Sequence, residues 1–175
     1  MLRLILMRHA KSSWIDKKLD DFDRPLSKRG REAAPMMGRE LAKRGLIAER
    51  ILCSPAKRTR ETLKLLADGM GAKPAVSFED RLYSFGDGSP YLEIIATQQS
   101  ASPLMVIGHN PSIQNLALRL IRPDSSELVE RIGRKFPTAA VAVIDLPIDS
   151  WRQLKSLKEV AGTVETFLTP KMLQS

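Results

Sequence analysis

The stretch "LRLILMRHAKSSW", residues 2–14, is an apolar run that stops on an arginine and a histidine. Residues 2–7 have the length of one strand, and a strand apolar on both faces belongs inside a parallel sheet, covered above and below. The chain of 175 residues contains only two histidines, and His9 stands where this strand ends. Its meaning depends on what else the same sheet edge collects.

Working outward, the pattern repeats. "ERILCSP" and "PLMVIG" read as further short buried strands, and "AVSF" as another. Between them, "RPLSKRGREAAPMMGRELAKRG" reads as a helix: Ser27 is suited to the N-cap, Ala33, Met37 and Leu41 recur at four-residue spacing, and Gly45 suits a left-handed end. Pro35 inside it argues for a kink or a later start. "AKRTRETLKLLADGMG" is a second helix, expected to begin straight after Cys53 and to bury Leu63, Leu66, Ala67 and Met70. A third is expected over about 91–98, and "HNPSIQNLALRLI" gives a fourth with Pro111 as its first helical residue. "TAAVAVIDL" and "WRQLKSLKEV" read as a closing pair of strands joined at "PIDS", the second also compatible with a short helix. Residues from about 162 are expected to be a loose tail.

Strands alternating with helices define the fold class as α/β: a single domain over 1–175 with a mostly parallel central sheet and helices on both faces. A hydrophobic content of 43% suffices for one sizeable core. No run approaches the roughly 18 apolar residues of a membrane span, and the expectation is no signal peptide and no membrane partner. Cys53 is the only cysteine, which excludes an intramolecular disulfide and a zinc-type cluster and points to a reducing, cytoplasmic compartment. A net charge of +8 attracts anions. With basic residues scattered and aromatics at 5%, no platform for stacking bases is evident, and nucleic acid is not the expected partner.

Ligands of open parallel sheets bind beyond the carboxyl ends of the strands. The three clearest strands end at Met7 into "RHA", Cys53 into "SPAKRTRET" and Ile107 into "GHNPS". Arg8, His9, Arg58 and His109 therefore share one edge. Two guanidiniums can fork onto phosphate oxygens, a helix N-terminus adds N–H groups, and one neutral imidazole can attack phosphorus while the other hydrogen-bonds the moving oxygens. No metal or cofactor is required. Each piece also has an ordinary reading: a histidine after a strand is commonly a hydrogen-bonded loop residue, Arg58 and Arg60 could decorate a solvent face, and Trp14, Met36 and Met37 read as packing residues. Cys53 reads as a small buried hydrophobe. The coincidence of three junctions favours the functional reading.

With "LILMRHAKS", "DRPLSKRG", "SPAKRTRETL" and "VIGHNPS" in this order, the chain resembles the histidine phosphatase superfamily, and within it the SixA-like phosphohistidine phosphatases. The likeness covers about 2–120. It implies a phosphoglycerate mutase-like fold over one histidine phosphatase domain. It also implies a nucleophilic role for His9, a phosphate pocket formed by Arg8, Arg58 and His109, and a mainly structural role for Arg24, Ser27 and Gly30. Asn110 lies beside the pocket without an assigned role. Phosphate or sulfate is the expected pocket anion, and the expected partner is a phosphohistidine-bearing signalling or phosphocarrier protein, or else a small phosphomonoester.

Two positions depart from the family pattern. Ala10 replaces a glycine, which leaves the reacting groups in place. In "EDRLYSF", Ser84 stands about where larger members carry the carboxylate that protonates a departing alkoxide, and a serine cannot do that at neutral pH. Glu79, Asp80 and Asp87 are the nearby candidates for a donor. Phosphohistidine needs no such donor, because imidazole leaves readily once its other nitrogen is protonated. A general phosphomonoesterase using one of those carboxylates, and a phosphate-recognising module without catalysis, remain the alternatives.

Overall fold

In the computed structural model, which describes residues 1–156 and 161–174, β1 (Leu2–Arg8) is followed by α1 (Lys28–Lys43), β2 (Arg50–Cys53), α2 (Lys57–Met70) and β3 (Ala75–Phe78). Then come α3 (Ser89–Ala96), β4 (Leu104–Gly108), α4 (Ser112–Leu120), α5 (Glu127–Arg134), β5 (Val141–Leu146), β6 (Thr163–Leu168) and the short α6 (Pro170–Leu173). The strands form one sheet in the order β3-β2-β4-β1-β5-β6. The first four in that order are parallel, while β5 runs antiparallel to both of its neighbours. This is the α/β fold expected.

Side chains of β1 alternate between two cores, as the two-residue period of a strand requires. Leu4 and Leu6 pack with Val106, Ile95, Leu116 and Trp151 on one face. Ile5 and Met7 pack with Met37, Leu41, Leu66 and Met105 on the other. Arg3, the charged residue within the run, sits opposite Asp145 on β5 and pairs with it through two hydrogen bonds of 2.7 and 2.9 Å.

The helix signals hold in most details. Ser27 caps α1 by accepting from Gly30 N–H, and Ala33, Met37 and Leu41 are buried. Pro35 sits within α1 and does not delay its start. It lies where the two helices touch closely: a Cβ at Gly69 would stand 2.2 Å from the Pro35 carbonyl oxygen, and one at Gly38 would stand 2.2 Å from that of Leu66. On α2, Leu63, Leu66 and Met70 are buried, but Ala67 is only half-buried.

Other expectations are corrected. α2 starts at Lys57, with Ser54–Pro55–Ala56 between it and the strand, because the Ser54 hydroxyl turns the chain by accepting from Ala56 N–H. Pro111 is the residue before α4 rather than its first turn. α3 begins at Ser89, ahead of the expected start. Of the two readings open for the next segment the short helix holds: Trp151–Lys155 is a 3-10 helix, set by a capping box in which Ser150 and Gln153 exchange hydrogen bonds, and residues 157–160 lie outside the described residues. The closing strand is instead β6, in the expected tail, where antiparallel pairing with β5 buries Phe167 and Leu168. Trp14 is not a packing residue: it is 69% exposed, with the Arg24 guanidinium 3.1 Å above its ring. Met37 is buried and Met36 half-buried.

The register of β1 on β4 pairs Arg8 with Gly108. His9 and His109 therefore leave adjacent strands at the same level.

Candidate active site

The turn after β1 fixes His9. Its backbone N–H donates to the Gly108 carbonyl, and Ala10 N–H donates to the Thr62 hydroxyl on α2. The ring's Nδ1 lies 2.7 Å from the Ala10 carbonyl oxygen. A carbonyl can only accept, so Nδ1 carries the proton and Nε2 keeps its lone pair. His9 is 7% exposed, and burial, reinforced by Arg58, Arg8 and Arg24, depresses its pKa to about 3 against the opposing bond to Ala10. The imidazole is a neutral base across the physiological range.

His109 is fully buried, with its ring centroid 5.3 Å from that of His9. Its backbone N–H donates to the Tyr91 hydroxyl, which donates onward to the Leu82 carbonyl. Gly108 makes this possible, since a Cβ there would stand 2.3 Å from the Tyr91 hydroxyl oxygen. His109 Nε2 is 2.7 Å from the Ser54 hydroxyl, and Nδ1 is 3.3 Å from Arg58 Nη2. Arginine can only donate, so in this arrangement Nδ1 accepts and Nε2–H points at Ser54. Burial and the neighbouring His9 and Arg58 depress the His109 pKa to about 2.

Arg58 and Arg8 flank the imidazoles. Arg58 leaves the first turn of α2 and is 3% exposed; Nη1 donates to the Asp21 carbonyl at 2.7 Å and Nη2 to the Asp21 carboxylate at 2.9 Å. Arg8 Nη1 donates to the Phe136 carbonyl, which also accepts from Asn110. Arg8 Nε is buried with no partner among the described residues. Burial, and then the charge of Arg58, lowers the Arg8 pKa, though an arginine stays protonated. The four residues predicted from sequence therefore come together beyond the carboxyl ends of β1, β2 and β4. Arg24, Ser27 and Gly30 lie just outside it. Arg24 ties Ser12, Ser13 and Asp21 together, Ser27 donates to the Lys11 carbonyl, and a Cβ on Gly30 would stand 2.2 Å from that same oxygen.

Sequence reasoning missed several neighbours. Asp21 lies in a 3-10 turn, Asp21–Asp23, and its carboxylate accepts from Arg58, Arg24 and the Tyr83 hydroxyl. Partial desolvation works against ionisation, but hydrogen bonds from Tyr83 and Arg58 outweigh it and bring the Asp21 pKa down to about 2. The run "DFDR", which ends on Arg24, is the available signal, and in sequence it reads as polar loop. In sequence Ser54 is only part of the junction after Cys53. Asn110 acquires a place by sharing the Phe136 carbonyl with Arg8.

Of the carboxylates proposed as donors, Asp87 is turned toward the start of α3, where it accepts from Ser89 N–H. Ser84 offers its carbonyl to the Ser112 hydroxyl. Cys53 is fully buried, and burial pushes its thiol up to about 12. Two grooves of about 570 and 580 Å³ lie elsewhere, and neither is lined by a histidine. Among the described residues no helix is long and apolar enough to cross a membrane.

Residues 4–88 match the model of the histidine phosphatase superfamily, branch 1. An uncharacterized protein of Mycobacterium tuberculosis is 36% identical over 140 residues, covering 79% of this chain and 85% of the relative. The chain belongs to the histidine phosphatase superfamily. Within it the chain is SixA-like. The phosphohistidine phosphatase SixA of Escherichia coli K12 is 26% identical over 148 residues, covering 83% of this chain and 86% of that protein. A solved structure from Nakamurella multipartitia, named as a candidate phosphohistidine phosphatase SixA, is 29% identical with a TM-score of 0.80, covering 97% of this chain and 96% of that one. Family and neighbours together support a phosphatase activity.

Proposed function

We propose that the protein hydrolyses phosphohistidine on a partner protein, through a phosphorylated His9. His9 Nε2 attacks phosphorus in line; the Nε2–P bond forms as the substrate's P–N bond breaks, and the substrate imidazole keeps the electron pair. Arg8, Arg58 and His109 carry the charge of the equatorial oxygens, with Arg8 Nε the donor that has no other partner. Water then attacks the intermediate, phosphate departs and His9 regains its lone pair.

One observation carries the choice of substrate. Among the described contacts of the pocket, the carboxylate present is Asp21, ion-paired to Arg58 and held at about 2. It is ionised at neutral pH and has no proton to give a departing alkoxide. About where larger relatives carry the acid, this chain has Ser84. A substrate whose leaving group departs unaided fits such a pocket, and phosphohistidine is one.

The test compares phosphate release from a phosphohistidine-bearing protein, a phosphoserine peptide and a sugar phosphate, by wild type and His9→Ala. Release from phosphohistidine, abolished in the variant and crippled by orders of magnitude in Arg58→Ala, is expected. Faster release from the monoesters, lost on substituting Glu79, Asp80 or Asp87, would establish the general phosphomonoesterase instead. Retained turnover in His9→Ala would exclude the mechanism.

A further inference from the structure

In a chain that is only 5% aromatic, three rings gather beside the pocket. Phe85 stands 5.0 Å from the His109 ring and Tyr83 5.3 Å from it. Tyr83 meets Phe85 edge-on at 5.2 Å and Phe22 edge-on at 5.1 Å. Neither phenylalanine belongs to a core cluster: Phe85 is 50% exposed and Phe22 38% exposed. Both phenylalanines meet Tyr83, whose hydroxyl donates to Asp21, and Phe85 and Tyr83 also meet the fully buried His109.

We propose that Phe85, backed by Tyr83 and Phe22, is a stacking wall for the ring of the leaving group, so that the site selects phosphoryl groups carried on planar aromatic leaving groups. These are imidazole N-phosphates and, with them, aryl phosphates.

The inference rests on the function proposed above and adds to it a set of specificity-determining residues. Attack in line from His9 places the leaving atom on the far side of phosphorus. His109 lies beside the transferring group, and the rings that touch His109 flank the outward path. A phenol and an imidazole share what this wall can recognise: a flat apolar face that gains from offset or edge contacts with another ring. They also share what the pocket demands, since either can leave with the electron pair of the broken P–O or P–N bond without a proton from Asp21. The three residues occupy the segment where an acid is missing and the loop that carries Asp21. One surface therefore replaces proton donation with selection for a leaving group that does not need it.

The test uses three probes that all leave without a donor: phosphohistidine, 4-nitrophenyl phosphate and acetyl phosphate. The first two carry a ring and the third does not. For each enzyme preparation, kcat/KM for the ring-bearing probes is divided by that for acetyl phosphate, a ratio that cancels any loss of folded protein. Phe85→Ala is expected to lower the ratio about tenfold, and Phe85→Trp to preserve it. An unchanged or raised ratio in Phe85→Ala would overturn the wall and leave the histidine mechanism standing. Wild type that turns over none of the three in a His9-dependent way would overturn both.

Discussion

The proton inventory of His109 is the most consequential detail at the scale of single residues. In the structure Nδ1 accepts from Arg58 and Nε2–H faces the Ser54 hydroxyl. For Nδ1 to donate to a phosphoryl oxygen, the ring must carry its proton there instead. A serine hydroxyl permits either state, since it accepts from Nε2–H or turns to donate to a bare Nε2. Ser54→Ala removes both options and leaves a fully buried ring nitrogen unpaired, at a cost of about 1–3 kcal/mol. Thermal denaturation should register that loss, and kcat should fall by about tenfold or more; a variant with wild-type kcat would show that the ring needs no hydroxyl partner. How far such residues can be read from sequence depends on helix geometry. Arg58 and Arg60 look alike in "AKRTRET", yet two positions along a helix is just over half a turn. Arg58 is buried in the pocket, while Arg60 is exposed over the Phe78 ring, 4.4 Å from it. The histidines were legible because they end strands. Asp21 and Ser54 were not, because their importance lies in partners 37 and 55 residues away.

At the scale of elements, the site depends on how closely α2 is drawn against α1, since α2 carries Arg58 in its first turn and Thr62, which fixes Ala10, in its second. Gly38 and Gly69 let the backbones touch. Gly38→Ala forces a methyl group against the Leu66 carbonyl, where backbone faces backbone and no side chain can yield. A destabilisation of about 1–3 kcal/mol is expected, read from the urea midpoint. Because the relief is a shift of α2, kcat/KM should fall too, whereas Gly45→Ala, at a position with open space around it, should lose stability through its φ of 71° alone. Equal kinetic losses in the two variants would mean that helix spacing does not govern the site. The sheet and the helices up to α4 were legible because their apolar periods are unambiguous. α5 gives little signal in the sequence, since Ile132 is its one fully buried residue. The sequence leaves Trp151–Lys155 open between a strand and a short helix, because an apolar pair set three residues apart suits either until Ser150 and Gln153 are recognised as a capping box. β6 alternates buried and exposed positions weakly, and only its pairing with β5 reveals it.

For the whole molecule, two imidazoles buried in neutral form make folding pH-dependent. His9 is held at about 3 and His109 at about 2, against 6.5 for an unburied imidazole. Between those values the unfolded chain binds protons that the folded chain refuses, so stability falls as pH is lowered below about 6.5. Asp21 acts in the same direction at lower pH: held at about 2 rather than 3.8, its contribution is lost only as pH falls through that lower window. A loss of stability between pH 7 and 5 therefore falls in the window of the histidines and not in that of Asp21. The net charge of +8 grows over the same range, and self-repulsion would also lower Tm. Salt separates the two causes, because exposed charges are screened at high ionic strength and the cost of protonating a buried ring is not. In 0.5 M salt the Tm of the wild type should still fall from pH 7 to 5, and His9→Gln, which keeps a polar side chain but cannot titrate, should show a visibly shallower fall. If salt abolished the slope, the pH dependence would lie in surface charge; if the variant reproduced it, His9 would not be the neutral base that the proposed attack on phosphorus requires.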